Sequence, residues 1–113
     1  MNGLMCINIA LEFVTWIDGM WLGLSARPDL IARLDKSSTS IVLNIAEGNG
    51  RFTPADHFRF LGIAHAAAVG SAAALDLAIA RSFSTAVEIQ EGRRMLGRID
   101  SMLSAMGRKV KNA

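Results

Sequence analysis

Apolar residues recur along this chain at intervals of three and four, and nowhere does the pattern settle into the alternation of a strand. Four helical stretches emerge, at about 4–24, 28–48, 54–81 and 85–108. The second buries Leu30, Leu34, Ile41 and Ile45, and the fourth carries Met95, Ile99, Met102, Leu103, Met106 and Val110 as its apolar stripe. Punctuation agrees with these bounds. Pro28 and Pro54 suit first-turn positions, Thr53 and Thr85 suit N-caps, and Asp56 and Glu88 stand three residues on, where a capping box places an acid. Gly48 and Gly50 are candidates for the left-handed residue that closes the second helix. The links are short, so consecutive helices should be antiparallel neighbours. The expected fold is one all-α domain over residues 1–113, an up-down-up-down four-helix bundle.

Two of the four helices are too apolar for a bundle that stands alone. Between Phe60 and Ala80 only His65 and Asp76 can carry charge. A helix apolar around its full circumference needs cover around its full circumference. The first helix has one narrow polar stripe, Asn8, Glu12, Thr15 and Gly19, and Phe13, Trp16 and Trp21 are not expected to point one way. The expectation is a homo-oligomer that shelters these faces, with Trp16 and Trp21 and the four-residue repeat Gly62, Ala66, Gly70 and Ala74 at the interface. Small residues at that spacing let a neighbouring helix approach closely.

Composition narrows the setting. Cys6 is the single cysteine, so no intrachain disulfide forms; a small buried hydrophobe in a reducing cytoplasm is the expected reading. No Lys or Arg precedes Arg27, against a signal peptide, and Asn8, Glu12 and Asp18 interrupt the apolar N-terminal run, against membrane insertion. The net charge of +2 is unevenly spread: Arg93, Arg94, Arg98, Arg108, Lys109 and Lys111 face only Asp100 in the last stretch, which leaves the rest of the chain negative. Those six residues are the candidate polyanion-binding set, with RNA or a nucleic-acid-associated protein as partner. No aromatic residue lies among them, so base stacking is not encoded there.

The chain offers little for catalysis. Asn44 and Glu47 share one flank of the second helix with Arg33, Ser37 and Ser40, within roughly 80° of arc. No nucleophile or metal ligand stands near them, so a role at the turn or an interface is expected, with Arg51 or Arg33 as the partner of Glu47. His57 and His65 are eight apart, outside the three-or-four spacing of a helical metal pair; an exposed first-turn position is expected for His57 and a core or interface position for His65. Gly48-Asn49-Gly50-Arg51 lacks both the preceding strand and the Gly-Lys-Ser/Thr ending of a phosphate loop. Neither metal, cofactor nor enzymatic activity is expected.

The run Ser38-Thr39-Ser40-Ile41-Val42-Leu43-Asn44-Ile45-Ala46-Glu47-Gly48-Asn49-Gly50-Arg51 resembles the signature of the four-helix-bundle proteins first met as products of intervening sequences within 23S rRNA genes. Phe58-Arg59-Phe60-Leu61-Gly62-Ile63-Ala64 and Glu91 to Leu103 are similar to later parts of the same family, so the likeness covers essentially the whole chain. The chain departs from the pattern in having Val42 for a frequent Pro, Asp35 for a common Arg, and Ala66, Ala67 and Gly70 for a Gly-Ser-then-Glu element. The resemblance implies a ring-shaped homopentamer, and a related branch comprises basic accessory proteins of diversity-generating retroelements that work with a reverse transcriptase and nucleic acid. The leading expectation is therefore a non-enzymatic, oligomeric, RNA- or ribonucleoprotein-binding bundle. The alternative is a protein–protein adaptor without nucleic-acid binding, in which Asn44, Glu47, Gly48, Gly50 and Arg51 shape the contact surface.

Overall fold

The computed structural model describes residues 2–24 and 27–112, with the side chains of residues 2 and 21–24 outside that description. Four helices follow one another: α1 (Asn2–Leu24), α2 (Pro28–Asn49), α3 (Pro54–Ala80) and α4 (Ala86–Lys111). The links between them hold three, four and five residues. Such links cannot span helices roughly 35 Å long at 1.5 Å per residue, so each helix folds back along the last. The result is a rod of 45 × 22 × 20 Å. α1 packs on α2 and α4, and α3 on α2 and α4, with α1 and α3 diagonal to one another.

The helix ends show which sequence signals acted. Thr85 accepts a hydrogen bond from the Glu88 N–H at 3.2 Å, and Glu88 accepts one from the Thr85 N–H at 2.9 Å, a complete capping box. At α3 only half of the expected box forms. Thr53 accepts from the Asp56 N–H, while the Asp56 carboxylate faces Arg59 at 3.9 Å. The left-handed closure expected at Gly48 and Gly50 does not occur. Gly48 lies inside α2, and Gly50 caps it at φ −89°. The left-handed residue is Ser82, at φ 63°, after α3. The Ser82 N–H donates to the Ile79 carbonyl and the Phe83 N–H to the Ala78 carbonyl, which is the Schellman pattern. Serine gives no sequence signal for such a turn, yet α3 ends at Ala80, within one residue of the bound expected from the sequence. α4 also runs on to Lys111 rather than 108, because Val110 still packs against the core.

The interior divides its volume unequally. α3 contributes Ala64, Ala68, Ser71, Ala74 and Ala78 to it beside the larger Leu61 and Leu75, while α1, α2 and α4 contribute Phe13, Ile17, Leu34, Ile41, Ile45, Ile89 and Ile99. Mostly small side chains on one helix and large ones on its neighbours let the layers interdigitate at crystal-like density. The two buried hydroxyls are satisfied: Ser71 shares a 2.7 Å hydrogen bond with Ser37 across the α2–α3 seam, and Ser38 donates to the Asp35 carbonyl. Cys6 is fully buried and free, and burial pushes its thiol up to about 11.

Phe13 and Trp16 stack with their ring centres 6.0 Å apart. Trp16 covers Gly92 of α4 so closely that a Cβ there would run into the indole ring. Trp16 thus joins two helices of one chain while staying part-buried. Ala74 is likewise corrected: at 2% exposure it belongs to the core. Trp21 lies outside the described side chains.

Replacing Ser82 with Gly should raise stability by about 1 kcal/mol, because glycine reaches the left-handed region without the Cβ penalty. Denaturant unfolding measures this; a loss of stability would contradict the assigned turn.

Candidate functional site

The α2–α3 turn gathers the sequence signature into one surface. At Gly48 the two helices approach closely: a Cβ there would stand 3.0 Å from the His57 ring and 3.2 Å from the Phe60 Cβ. His57 is consequently half-buried against α2 rather than exposed. Glu47 reaches forward one turn to Arg51, with Nη2 to Oε2 at 2.7 Å. The Arg51 and Arg59 guanidinium carbons lie 4.5 and 4.4 Å from the centre of the Phe60 ring. Cation–π attraction of this kind contributes about 0.5–1 kcal/mol when exposed. Asn44 turns back to its own helix and donates to the Ser40 carbonyl at 2.9 Å and to the Ser40 hydroxyl at 3.0 Å. Asn44 and Glu47 therefore do not act as a pair. Phe52, in the turn, is fully exposed, a residue that the sequence reading passed over.

The six basic residues of the last helix separate into two groups. Arg93 is paired with Asp76 of α3, and Arg94 with Glu91 one turn earlier. The Arg94 bonds hold the Glu91 carboxyl below the usual glutamate range. Arg98, Arg108, Lys109 and Lys111 are exposed and make no ion pair among the described residues. Of these, Arg108 and Lys111 edge a cleft of about 380 Å³ between α3 and α4, floored by Phe58, Leu61, Leu103 and Gly107. His65 stands beside the same cleft, 2.5 Å from Asp100. Half-exposed and paired, it lies at the surface, which removes the core half of the core-or-interface expectation. Among the described residues, no three His, Cys, Asp or Glu side chains cluster as a metal site.

The outward side of α3 is apolar along its length. Phe58, Ile63, Val69 and Leu77 are 47%, 39%, 55% and 41% exposed, and exposed Gly62 and Ala66 and part-buried Gly70 lie among them. A Cβ added at Gly62 or Gly70 would meet open space. A second groove, between α2 and α3, is lined by Arg33, Lys36, Ser37, Ser40, Ile63 and Ala67. By length and composition α1 and α3 are also apolar enough to cross a membrane, though each keeps one face in the core of the bundle.

An antiparallel four-helix bundle with a glycine-pinned α2–α3 turn is thus the class that fold and site define. The family model for the 23S rRNA-intervening sequence protein matches residues 4–105, and the chain belongs to that family. A crystal structure of a protein with unknown function from the S23 ribosomal protein family of Bacteroides thetaiotaomicron is similar in fold. It shares 22% identity at a TM-score of 0.87, over 96% of this chain and 99% of that chain. No curated protein matches the chain.

Gly48→Ala should destabilise the bundle by about 1–2 kcal/mol despite alanine's better helix propensity, because α3 has to move away from the new methyl. Gly97→Ala is the control: its Cβ meets nothing within 4 Å, so propensity alone should stabilise by up to about 1 kcal/mol. Equal effects in thermal or denaturant unfolding would contradict the close approach at Gly48.

Proposed function

We propose that this protein is a non-enzymatic, self-associating helical bundle, a ring of five copies, that serves as a scaffold for RNA or a ribonucleoprotein in the cytoplasm. The observation that carries the reading is the apolar outward side of α3. Exposed in a single chain, it spans Phe58 to Leu77 with small residues between the large ones. A second copy's helix fits such a surface better than water does. A lipid surface fits it less well, because charged Arg59, the ion-paired Asp76 and the polar His65 lie on the exposed part of the same helix. The number five follows the resemblance to characterised members of the family.

Support for a polyanionic partner comes from the four cations of α4 that make no ion pair among the described residues, Arg98, Arg108, Lys109 and Lys111. One copy presents too few charges for tight binding, whereas a ring repeats them and gains by multivalency. Arg93 and Arg94, spent on Asp76 and Glu91, are the weaker members of the set. The fully exposed Phe52 favours the adaptor reading as the second choice, since a lone aromatic in a turn suits a protein pocket.

The test is RNA binding across a salt series for the native protein and for the Arg98→Gln, Arg108→Gln, Lys109→Gln, Lys111→Gln variant. The slope of log affinity against log salt should shrink by about three, at roughly 0.7 per lost phosphate contact in single-stranded RNA. Unchanged affinity and slope would overturn RNA binding through α4. A protein partner retained after nuclease treatment and high salt would then favour the adaptor.

A further inference from the structure

The charge that the sequence reading assigned to the last helix has a counterpart at the opposite end of the rod. There the first turn of α2 meets the last turn of α3 and the turn into α4. A cavity of about 180 Å³ opens at this junction, lined by Arg27, Asp29, Leu30, Arg33, Leu77, Arg81 and Phe83. That is several times the roughly 30 Å³ a water molecule takes up in the liquid. Three arginines and one aspartate are among its lining residues, so the residues around it carry a surplus of two positive charges. None of the three arginines has a carboxylate within ion-pair distance among the described residues, although Asp29 shares the wall with them. They come from separate places: the N-cap of α2, its second turn, and the C-cap of α3.

Two further observations show that the site is built. The Arg27 guanidinium carbon lies 4.3 Å from the centre of the Phe83 ring, and its Nε is shut off from water with no acceptor. Phe83 is held in place by the left-handed Ser82 and the hydrogen bond from its own N–H to the Ala78 carbonyl. An arginine nitrogen buried without an acceptor is costly unless an anion arrives. α2 also begins at this cavity without a side-chain cap: Arg27 occupies the N-cap position and Pro28 the first turn. Pro28 has no N–H and the Ile31 N–H is spent on the Arg27 carbonyl, so the Asp29 and Leu30 N–H groups and the positive end of the helix dipole are what this turn offers.

We propose that this end of the bundle binds a phosphoryl group. A phosphate carries close to two negative charges at neutral pH, which matches the surplus, and its oxygens accept the forked N–H donors that arginine presents. Arg33 and Arg81 clasp the group, Arg27 is positioned by Phe83, and Asp29 opposes the anion and limits affinity. The site lies away from Arg98, Arg108, Lys109 and Lys111 and does not rest on their binding RNA.

Isothermal titration calorimetry of the full-length protein with inorganic phosphate, at fixed ionic strength, tests it. Arg33→Gln and Arg81→Gln should each weaken phosphate at least about tenfold, and Asp29→Asn should strengthen it. Arg98→Gln should leave it unchanged. Phosphate should also raise the unfolding temperature of the native protein and of Arg98→Gln, but not of Arg33→Gln. Asp29→Asn is a first-turn surface change, so its sign remains decisive if an arginine variant folds poorly. Competition by a 5′-phosphorylated dinucleotide but not by its unphosphorylated twin supports the site with a nucleic-acid end as the source. Competition by neither supports it with a free phosphate. No heat with phosphate, an unchanged affinity in both arginine variants, or weaker binding by Asp29→Asn would overturn it.

Discussion

Helix α3 offers water few polar side chains for its length, chiefly Asp56, Arg59, His65 and Asp76. Its inner side is mostly alanine and serine, with Leu61 and Leu75 as its large buried side chains, and its outer side is alanine and glycine set among Phe58, Ile63, Val69 and Leu77. Small residues inside leave room on that side, and most of the core volume comes from the isoleucines, leucines and aromatic rings of the other three helices. The same economy leaves the outside of α3 without cover in a single chain. Everything proposed here about assembly follows from that one helix being apolar on both sides.

Much of the fold was legible because its signals are local. Pro28, Pro54, Thr53, Thr85 and Glu88 act within one turn of where they stand, and the structure places each at the helix start it marks. The stripe on the last helix is likewise a matter of period, and Met95, Ile99, Leu103 and Met106 are buried as that period requires. What failed depends on contacts across the bundle. Gly48 is a glycine for the sake of His57 and Phe60, not for its own backbone angle, and no local pattern distinguishes the two. Trp16 turns inward because Gly92, some eighty residues away, leaves room for its ring. The repeat Gly62, Ala66, Gly70, Ala74 drifts about 40° per step on a straight helix, enough to carry its first member outside and its last into the core.

The candidate site shows the same division. That Arg51 would meet Glu47 follows from a four-residue spacing, and it does. That Arg93 would be spent on Asp76 depends on which side of α4 lies beside α3. The convergence of Arg27, Arg33 and Arg81 on one cavity is invisible in a sequence where they are spread over more than fifty positions. Charge counted along the chain pointed to α4 alone, whereas charge counted in space, with ion pairs removed, lies at both ends of the rod.

The most direct test is the mass of the native protein in solution, by sedimentation or native mass spectrometry at micromolar concentration. A folded particle of several copies, five in the leading reading, is the expected result. A stable, well-folded species at 12.1 kDa would contradict it, because the outer side of α3 would then be shown to tolerate water.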